Sequence, residues 1–218
     1  MIIAIDGPAG SGKTTVAKLI AKKLGIAYLD TGAMYRSLTL AALEREVPLD
    51  DAIALCALAR DIEITLEAGK VYVDKKDVTQ AIRAPIIDKN ISKVVIHPQV
   101  RSIMVELQRK FARASSIAIE GRDITTVVFP NAEYKFYLDA DPVMRAQRRH
   151  QELQGKGVTI DFTETQNDLQ RRDHADTSRA VGALKRADDA HFIDTTYMSI
   201  EQVVQEMLTY IQSKTGKE

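Results

Sequence analysis

The sequence predicts an α/β fold: a five-stranded parallel sheet with helices on both faces, a small antiparallel β-containing insertion and a helical lid. Short apolar runs alternate along the chain with segments whose apolar residues recur at helical spacing, which is typical of β-α-β units. The first apolar run also ends in a glycine-rich loop, and the carboxyl ends of strands are where such sheets bind ligands. The predicted strands of the sheet are residues 2–6, 27–30, 116–120, 134–138 and 191–194.

The insertion is predicted from a change of period between residues 61 and 90. The runs IEITLE, KVYVD and KDVT alternate apolar and polar residues, and Gly69 lies between the first two, where positive φ suits a tight turn. Helical patterns flank these runs, at 50–60 before them and at 85–95 and 98–114 after them. We therefore expect three short antiparallel strands inserted between helices.

Composition excludes several classes of protein. Thirty Lys and Arg residues balance thirty Asp and Glu residues, so no overall field attracts the chain to nucleic acid or to an anionic membrane. The single cysteine, Cys56, excludes an internal disulfide and a zinc site built from several thiolates. No run approaches the roughly 20 apolar residues that a membrane span requires. We expect a cytoplasmic protein that binds neither nucleic acid nor membrane.

The loop after the first strand, GPAGSGKT, has the spacing of a P-loop and predicts a P-loop NTPase fold. Its backbone N–H groups surround the β-phosphate, Lys13 reaches the β- and γ-oxygens, and the Thr14 hydroxyl is a ligand for Mg²⁺. An apolar strand before it and an amphipathic helix after it argue against a chance glycine-rich turn. The residues predicted to bind ATP and Mg²⁺ are Gly7, Pro8, Ala9, Gly10, Ser11, Gly12, Lys13, Thr14 and Thr15.

The rest of the chain narrows the class of P-loop protein. It has no NKxD motif to read guanine, which argues against a GTPase switch. A nucleic-acid motor would need a longer chain and a basic surface. A small-molecule kinase remains, and such an enzyme needs arginines at the sheet edge and on a closing lid to hold an anionic acceptor and exclude water.

Arginines are present at both kinds of position. Arg36 follows the second strand and Arg122 follows the third, while Arg171, Arg172 and Arg179 cluster in a polar stretch. A guanidinium suits this task because its planar fork binds phosphate through two hydrogen bonds and stays charged. For three further arginines, at 145, 148 and 149, a solvated helix face and a lid role are both open.

Four motifs in order give a specific resemblance. GPAGSGKT, LDTGAMYR at 29–36, IEGRDITTVVFP at 119–130 and RRDHADTSRAV at 171–181 resemble the bacterial-type cytidylate (CMP) kinases over essentially the whole chain. The resemblance implies a monomeric enzyme that phosphorylates CMP and dCMP with ATP and Mg²⁺. It also implies a single domain, residues 1–218, whose parts are a core (1–35, 91–144 and 180–218), an acceptor-binding region (about 36–90) and a lid (about 145–172).

The resemblance also assigns roles to individual residues. It implies that Lys13, Arg122, Arg172 and Arg179 are catalytic, with Thr14 as the metal ligand. The residues it implies for CMP are Thr31, Tyr35, Arg36, Ser92, Arg101, Arg122, Asp123, Arg172 and Asp176. From the residues alone, Ser92 and Asp123 could instead cap helices.

Two other functions stay open at this point. One is a P-loop kinase for a different small acceptor, such as UMP, AMP, shikimate or dephospho-coenzyme A. The other is a regulatory nucleotide-binding module without turnover. Substrate screening and ADP release separate these alternatives.

Overall fold

A computed structural model describes residues 1–67, 69–113, 115–155 and 157–215 of the chain. The chain divides into two compact units, Met1–Tyr28 with Ser115–Glu218, and Leu29–Ala114. In chain order the elements up to the second unit's end are β1 (Ile2–Asp6), α1 (Lys13–Leu24), β2 (Ala27–Asp30), α2 (Thr31–Glu44), α3 (Ala52–Asp61), β3 (Ile64–Glu67), β4 (Lys70–Val73), β5 (Lys76–Asp77), a 3₁₀ turn (Ala81–Arg83), α4 (Pro85–Val95) and α5 (Pro98–Ala112).

The remaining elements return the chain to the first unit. They are β6 (Ile117–Gly121), a π-helical turn (Ile124–Val128), β7 (Tyr134–Asp139), α6 (Pro142–Gly155), α7 (Phe162–Thr177), β8 (His191–Asp194) and α8 (Ile200–Thr215).

The main sheet has five strands in the order β2-β6-β1-β7-β8. The predicted five-stranded parallel sheet is thereby confirmed. β1 runs parallel to β6 and β7, so Asp6 at its carboxyl end is level with Gly121 of β6 and Tyr137 of β7. The loops that follow these three strands therefore leave the sheet at the same edge.

One hydrophobic core of the first unit lies against the face of β1 that carries Ile3 and Ile5. Ile3, Ile5 and Phe136 are fully buried, and helices α1 and α8 supply the apolar side chains packed against them, among them Ile20 and Met207. Burial of each such side chain stabilises the fold by about 1.5–3 kcal/mol. This packing holds the strand that carries the glycine-rich loop rigidly in place.

The second unit contains helices and the small sheet. β3, β4 and β5 form an antiparallel three-stranded sheet, which confirms the predicted insertion, and Gly69 has a φ of 79°. α2 packs on α4, and α3 packs on α5. Residues 91–113, which the resemblance assigned to the core, belong to this unit, where α4 and α5 pack on its other helices.

Among the described residues, no helix combines the length and the apolar character needed to cross a bilayer.

Candidate active site

The glycine-rich loop between β1 and α1 approaches its neighbours too closely for side chains. Gly7 has a φ of 148°, and a Cβ there would overlap the carbonyl oxygen of Leu138. Gly10 has a φ of 78°, and a Cβ there would lie 2.9 Å from the carbonyl oxygen of Arg145. Gly12 is the N-cap of α1 and supplies no side-chain cap. The first N–H groups of α1 and the positive end of its dipole therefore suit an anion.

Lys13 is the buried cation of this loop. Its Nζ donates to the carbonyl oxygen of Pro8 at 2.7 Å and to Ser11 Oγ at 3.4 Å. Burial, together with the nearby cations Arg122 and Arg172, lowers the pKa of Lys13 to about 7. A buried ammonium among cations is unfavourable by itself, so an anion that neutralises it would bind strongly.

The Thr14 hydroxyl donates to Glu120 Oε1 at 2.5 Å, and the Tyr28 hydroxyl reaches the same oxygen at 3.2 Å. Glu120 is 5% exposed and lies near the end of β6. Sequence reasoning missed Glu120, although a single acidic residue at the end of an apolar strand was a signal for it. Thr15, included in the predicted ATP set, is exposed on α1.

Arg122, Asp176 and Arg179 form a largely buried ion cluster in the first unit. Arg122 Nε donates to Asp176 Oδ2 at 2.6 Å, and Arg179 donates to Asp176 Oδ1. Burial would raise the pKa of Asp176, but the two guanidiniums, with help from Arg172, hold that pKa below its usual range. The structure thus brings together three of the residues predicted in GRD and RRDHADTSR: Arg122, Asp176 and Arg179. A fourth, Arg172, acts electrostatically on both Asp176 and Lys13.

Neither Ser92 nor Asp123, the two possible helix caps, caps a helix. Ser92 lies exposed within α4. Asp123 is 5% exposed, and although it precedes the π-helical turn, its side chain makes no capping hydrogen bond there. The carboxylate of Asp6 accepts from the first amides of that turn, Ile124 N and Thr125 N. The capping interpretation is therefore wrong for both residues. Ser92 lies inside a helix and not at its start, and Asp6 caps the π-helical turn in place of Asp123.

In the second unit, three predicted acceptor residues lie on α2. Thr31 and Tyr35 are buried, and the guanidinium of Arg101 lies 5.5 Å from the centre of the Tyr35 ring. Arg36 is also buried; it donates to Asp88 Oδ1 at 2.5 Å and to the carbonyl oxygen of Ile82. The structure therefore brings Tyr35 and Arg101 together within this unit.

A further arginine of the second unit was missed. Arg83 donates to Asp30 Oδ2 at 2.7 Å, and the other oxygen of Asp30 caps α2 by accepting from Ala33 N. Arg83 is the last residue of the 3₁₀ turn, an element that the sequence pattern did not predict. Nothing local in the sequence pairs it with Asp30, 53 residues earlier.

The three arginines left open on α6 have different environments. Arg145 is 6% exposed and donates to the carbonyl oxygens of Ala140 and Ala9 and to Asp173 Oδ2. Arg148 donates to the carbonyl oxygen of Thr195 at 2.5 Å. Arg149 binds Glu152 one turn along the same helix. Arg145 and Arg148 are thus not on a solvated face: they attach α6 to the glycine-rich loop and to the loop after β8.

Comparison with known proteins agrees with this geometry. The cytidylate kinase family model matches residues 3–213. A cytidylate kinase of Caldanaerobacter subterraneus subsp. tengcongensis is 43% identical over 216 residues, 99% of this chain and 96% of the relative. A cytidylate kinase of Geobacillus sp. (strain WCH70) is 45% identical over 218 residues, 98% of this chain and 97% of the relative.

Among solved structures, a gluconokinase from Sinorhizobium meliloti 1021 shares the fold. It superposes with a TM-score of 0.50 at 14% identity, covering 97% of this chain and 91% of that chain. That likeness concerns the fold alone. The family model spans nearly the whole chain and the relatives exceed 40% identity, and the chain therefore belongs to the cytidylate kinase family.

Proposed function

We propose that this protein transfers the γ-phosphoryl group of ATP to CMP and dCMP, giving ADP with CDP or dCDP, by direct in-line transfer. The observation that carries the proposal is the buried Lys13 of the glycine-rich loop, with the guanidiniums of Arg122 and Arg172 acting on it, in a chain of this family. These cations match the charge that a transferring phosphoryl group spreads over its oxygens. No covalent enzyme intermediate is needed.

ATP binds to the loop of residues 7–15. Its β-phosphate accepts from the loop's backbone N–H groups and from the start of α1, and Lys13 exchanges the Pro8 carbonyl oxygen for phosphate oxygens. The anionic phosphates return the pKa of Lys13 toward its ordinary value. Binding energy and charge neutralisation are thereby supplied by the same residue.

The residues present fit Mg²⁺. The Thr14 hydroxyl and the Glu120 carboxylate are hard oxygen donors 2.5 Å apart. No group of three or more His, Cys, Asp or Glu side chains suited to a metal occurs among the described residues, so phosphate oxygens and water would complete the coordination. When bound, the ion neutralises charge on the β- and γ-phosphates. Glu120 accepts a hydrogen bond from the Thr14 hydroxyl, which would leave an oxygen lone pair of Thr14 for the ion.

The acceptor's phosphate needs positive charge and no base. It is already an anion at neutral pH, so no side chain has to remove a proton. In the first unit, Arg122, Arg172 and Arg179 neutralise the acceptor phosphate and the transferring group, while Asp176 orients two of these arginines and reaches the sugar. In the second unit, Arg36 binds the monophosphate, and Thr31 lies near the acceptor.

Recognition of cytosine is assigned to four residues. Tyr35 lines the nucleoside pocket, Ser92 and Arg101 read the base edge, and Asp123 accepts from the exocyclic amino group. Cytosine offers that N–H donor beside the N3 and O2 acceptors, whereas uracil presents a carbonyl at the same position. A buried carboxylate facing the uracil carbonyl would receive no hydrogen bond from it and would be repelled by it, so discrimination follows from chemistry as well as shape.

As part of the proposal, residues 145–172 close over the reacting groups as a lid, and the enzyme acts as a monomer in the cytoplasm. The lid contains most of α6 and most of α7, and Arg171 and Arg172 lie on α7. Closure would exclude water, which prevents ATP hydrolysis.

Product analysis tests the proposal. Protein, ATP, Mg²⁺ and CMP are incubated, and nucleotides are separated by anion exchange. We expect ADP and CDP in equal amounts, with little ADP when CMP is omitted. ADP without CDP would contradict phosphoryl transfer to CMP, and the absence of any turnover with CMP or another acceptor would favour a regulatory module.

A further inference from the structure

Two residues outside the glycine-rich loop hold carbonyl groups of that loop. Arg145 of α6 donates from Nη1 to the carbonyl oxygen of Ala9 at 3.1 Å. Thr195, in the segment after β8, donates from Oγ1 to the carbonyl oxygen of Ser11 at 3.2 Å. Arg145 and Thr195 are both buried, and neither has an assigned role in the reaction. The loop is therefore held at two carbonyl groups from two different elements.

A carbonyl group that is held in this way determines where the next N–H group points. In a planar trans peptide, the C=O of one residue and the N–H of the next point in opposite directions. The Gly10 N–H therefore points away from α6, and the Gly12 N–H points away from the segment after β8. Both glycines have positive φ, 78° and 90°, which costs them no steric strain. The two outer contacts thus set the direction of two N–H groups of the loop.

The Thr195 hydroxyl is itself oriented by its neighbours. Arg148 Nη1 donates to Thr195 Oγ1 at 3.1 Å, which occupies a lone pair of that oxygen. The hydroxyl hydrogen is shared between two carbonyl oxygens, that of Ser11 and that of Asp139 at 3.0 Å. The Thr195 backbone N–H also donates to the Asp139 oxygen, at 2.7 Å. One threonine thereby links the end of β7, the segment after β8 and the glycine-rich loop.

We propose that Arg145 and Thr195 are positioning residues for the β-phosphate of the donor nucleotide. By holding two loop carbonyls away from the phosphate, they direct the N–H groups of Gly10 and Gly12 at it. Neither side chain touches the nucleotide, because each acts through one peptide group of the loop. The N–H groups are oriented before the nucleotide arrives, so binding does not have to order them. This inference rests on the proposed function, because it requires the loop to bind ATP and its product ADP.

Thr195→Val tests this role, since it removes the hydroxyl and keeps the branched shape of the side chain. Thr196→Val is the matched control. Thr196 is also buried, and its hydroxyl donates to Asp194 and accepts from Asp141 N, so both of these bonds lie outside the glycine-rich loop. Calorimetry measures the Kd of ADP with Mg²⁺, and separately the Kd of CMP, for each variant and for the unaltered protein.

We expect Thr195→Val to raise the Kd of ADP about three- to tenfold and to leave the Kd of CMP unchanged, because the two N–H groups serve the donor phosphate. Thr195→Ser keeps the hydroxyl and should bind ADP as the unaltered protein does. Arg145→Met should raise the Kd of ADP about tenfold, because a charged donor is lost. Thr196→Val should leave both dissociation constants unchanged.

Equal increases in the Kd of ADP for Thr195→Val and Thr196→Val would overturn the proposal, since a purely structural role predicts them. An equal rise in the Kd of CMP, or a Thr195→Ser variant that binds ADP as weakly as Thr195→Val, would also overturn it. So would an unchanged Kd of ADP in Thr195→Val or in Arg145→Met. If either of these variants does not fold, Thr195→Ala decides, because it removes the same hydroxyl without adding a methyl group.

Binding of ADP by the unaltered protein separates the two levels of inference. If the unaltered protein does not bind ADP, the proposed function fails, and the roles of Arg145 and Thr195 fail with it. If it binds ADP and the two valine variants do not differ, only the positioning roles fail.

Discussion

Arg122 and Arg179 share one carboxylate: Arg122 Nε donates to Oδ2 of Asp176 at 2.6 Å, and Arg179 donates to Oδ1 of the same side chain. All three side chains are largely buried. The two guanidiniums that the proposal assigns to phosphate are therefore held in place, and neutralised in part, by the protein itself. Charge balance in the folded protein depends on this carboxylate.

Asp176→Asn should destabilise the fold at neutral pH by about 3 kcal/mol, because two buried cations lose their anion. The folded-state pKa of Asp176 lies below its usual value of 3.8, so its contribution is full above that value and is lost as the pH falls through the folded-state pKa. The difference in free energy of unfolding between the two proteins should therefore be constant from pH 8 to pH 5 and shrink below pH 4. Urea unfolding at each pH measures it.

The matched control is Asp168→Asn on the same helix, where Asp168 pairs with Arg171 at the surface. Exposed pairs contribute about 0–1 kcal/mol, so this variant should differ little from the unaltered protein. A difference for Asp176→Asn that grew with acidity would contradict the ion cluster.

Lys13→Ala should leave folding intact and lower turnover by about 10²-fold or more, because a charge facing the transferring phosphoryl group is removed. Lys22→Ala, at an exposed position of the same helix, should have nearly normal turnover. Steady-state ADP release measures both. Near-normal activity in Lys13→Ala would refute the assignment of the P-loop.

Binding of a nucleotide should be accompanied by proton uptake. Burial lowers the pKa of Lys13 to about 7, so at pH 8 its side chain is mostly neutral in the free protein. Phosphate oxygens favour the charged form and raise that pKa, so about one proton should be taken up at pH 8 and much less at pH 6. Calorimetry of an ATP analogue in two buffers with different ionisation enthalpies measures the uptake. A Lys13→Met variant that takes up as many protons as the unaltered protein would contradict this account.

Arg145→Met should destabilise the fold by about 2–4 kcal/mol, since three hydrogen bonds are lost and Asp173 loses its cationic partner. Arg149→Met removes a surface pair on the same helix and should change stability by less than about 0.5 kcal/mol. Thermal unfolding compares the two variants. Equal effects would mean that the attachment of α6 to the glycine-rich loop adds no stability.

The parts of this protein that could be predicted from the sequence depend on local signals. The strand at 2–6, the loop GPAGSGKT and the helix after it are contiguous, so spacing alone specifies them. The three strands of the insertion follow from alternation, which is also local. The five-stranded sheet could be predicted because parallel strands joined by helices have few possible arrangements.

The features that could not be predicted from the sequence depend on contacts between residues that are distant in the chain. Glu120 meets Thr14 across 106 positions, and Asp6 meets Thr125 across 119. The π-helical turn has the sequence ITTVV, whose β-branched residues favour a strand locally. Its conformation is set by the carboxylate of Asp6, which no local pattern reveals. Arg145 likewise lies in a polar stretch, and only the packing of α6 against the loop shows that it is buried.

Coupled ADP release against a panel of acceptors tests the central claim most directly. With ATP and Mg²⁺, kcat/KM is measured for CMP, dCMP, UMP, AMP, GMP, TMP and shikimate. The account predicts strong turnover with CMP and dCMP and much weaker turnover with every other acceptor. Strong turnover with another acceptor, and little with CMP, would contradict the cytosine-reading assignment while leaving the ATP site in place.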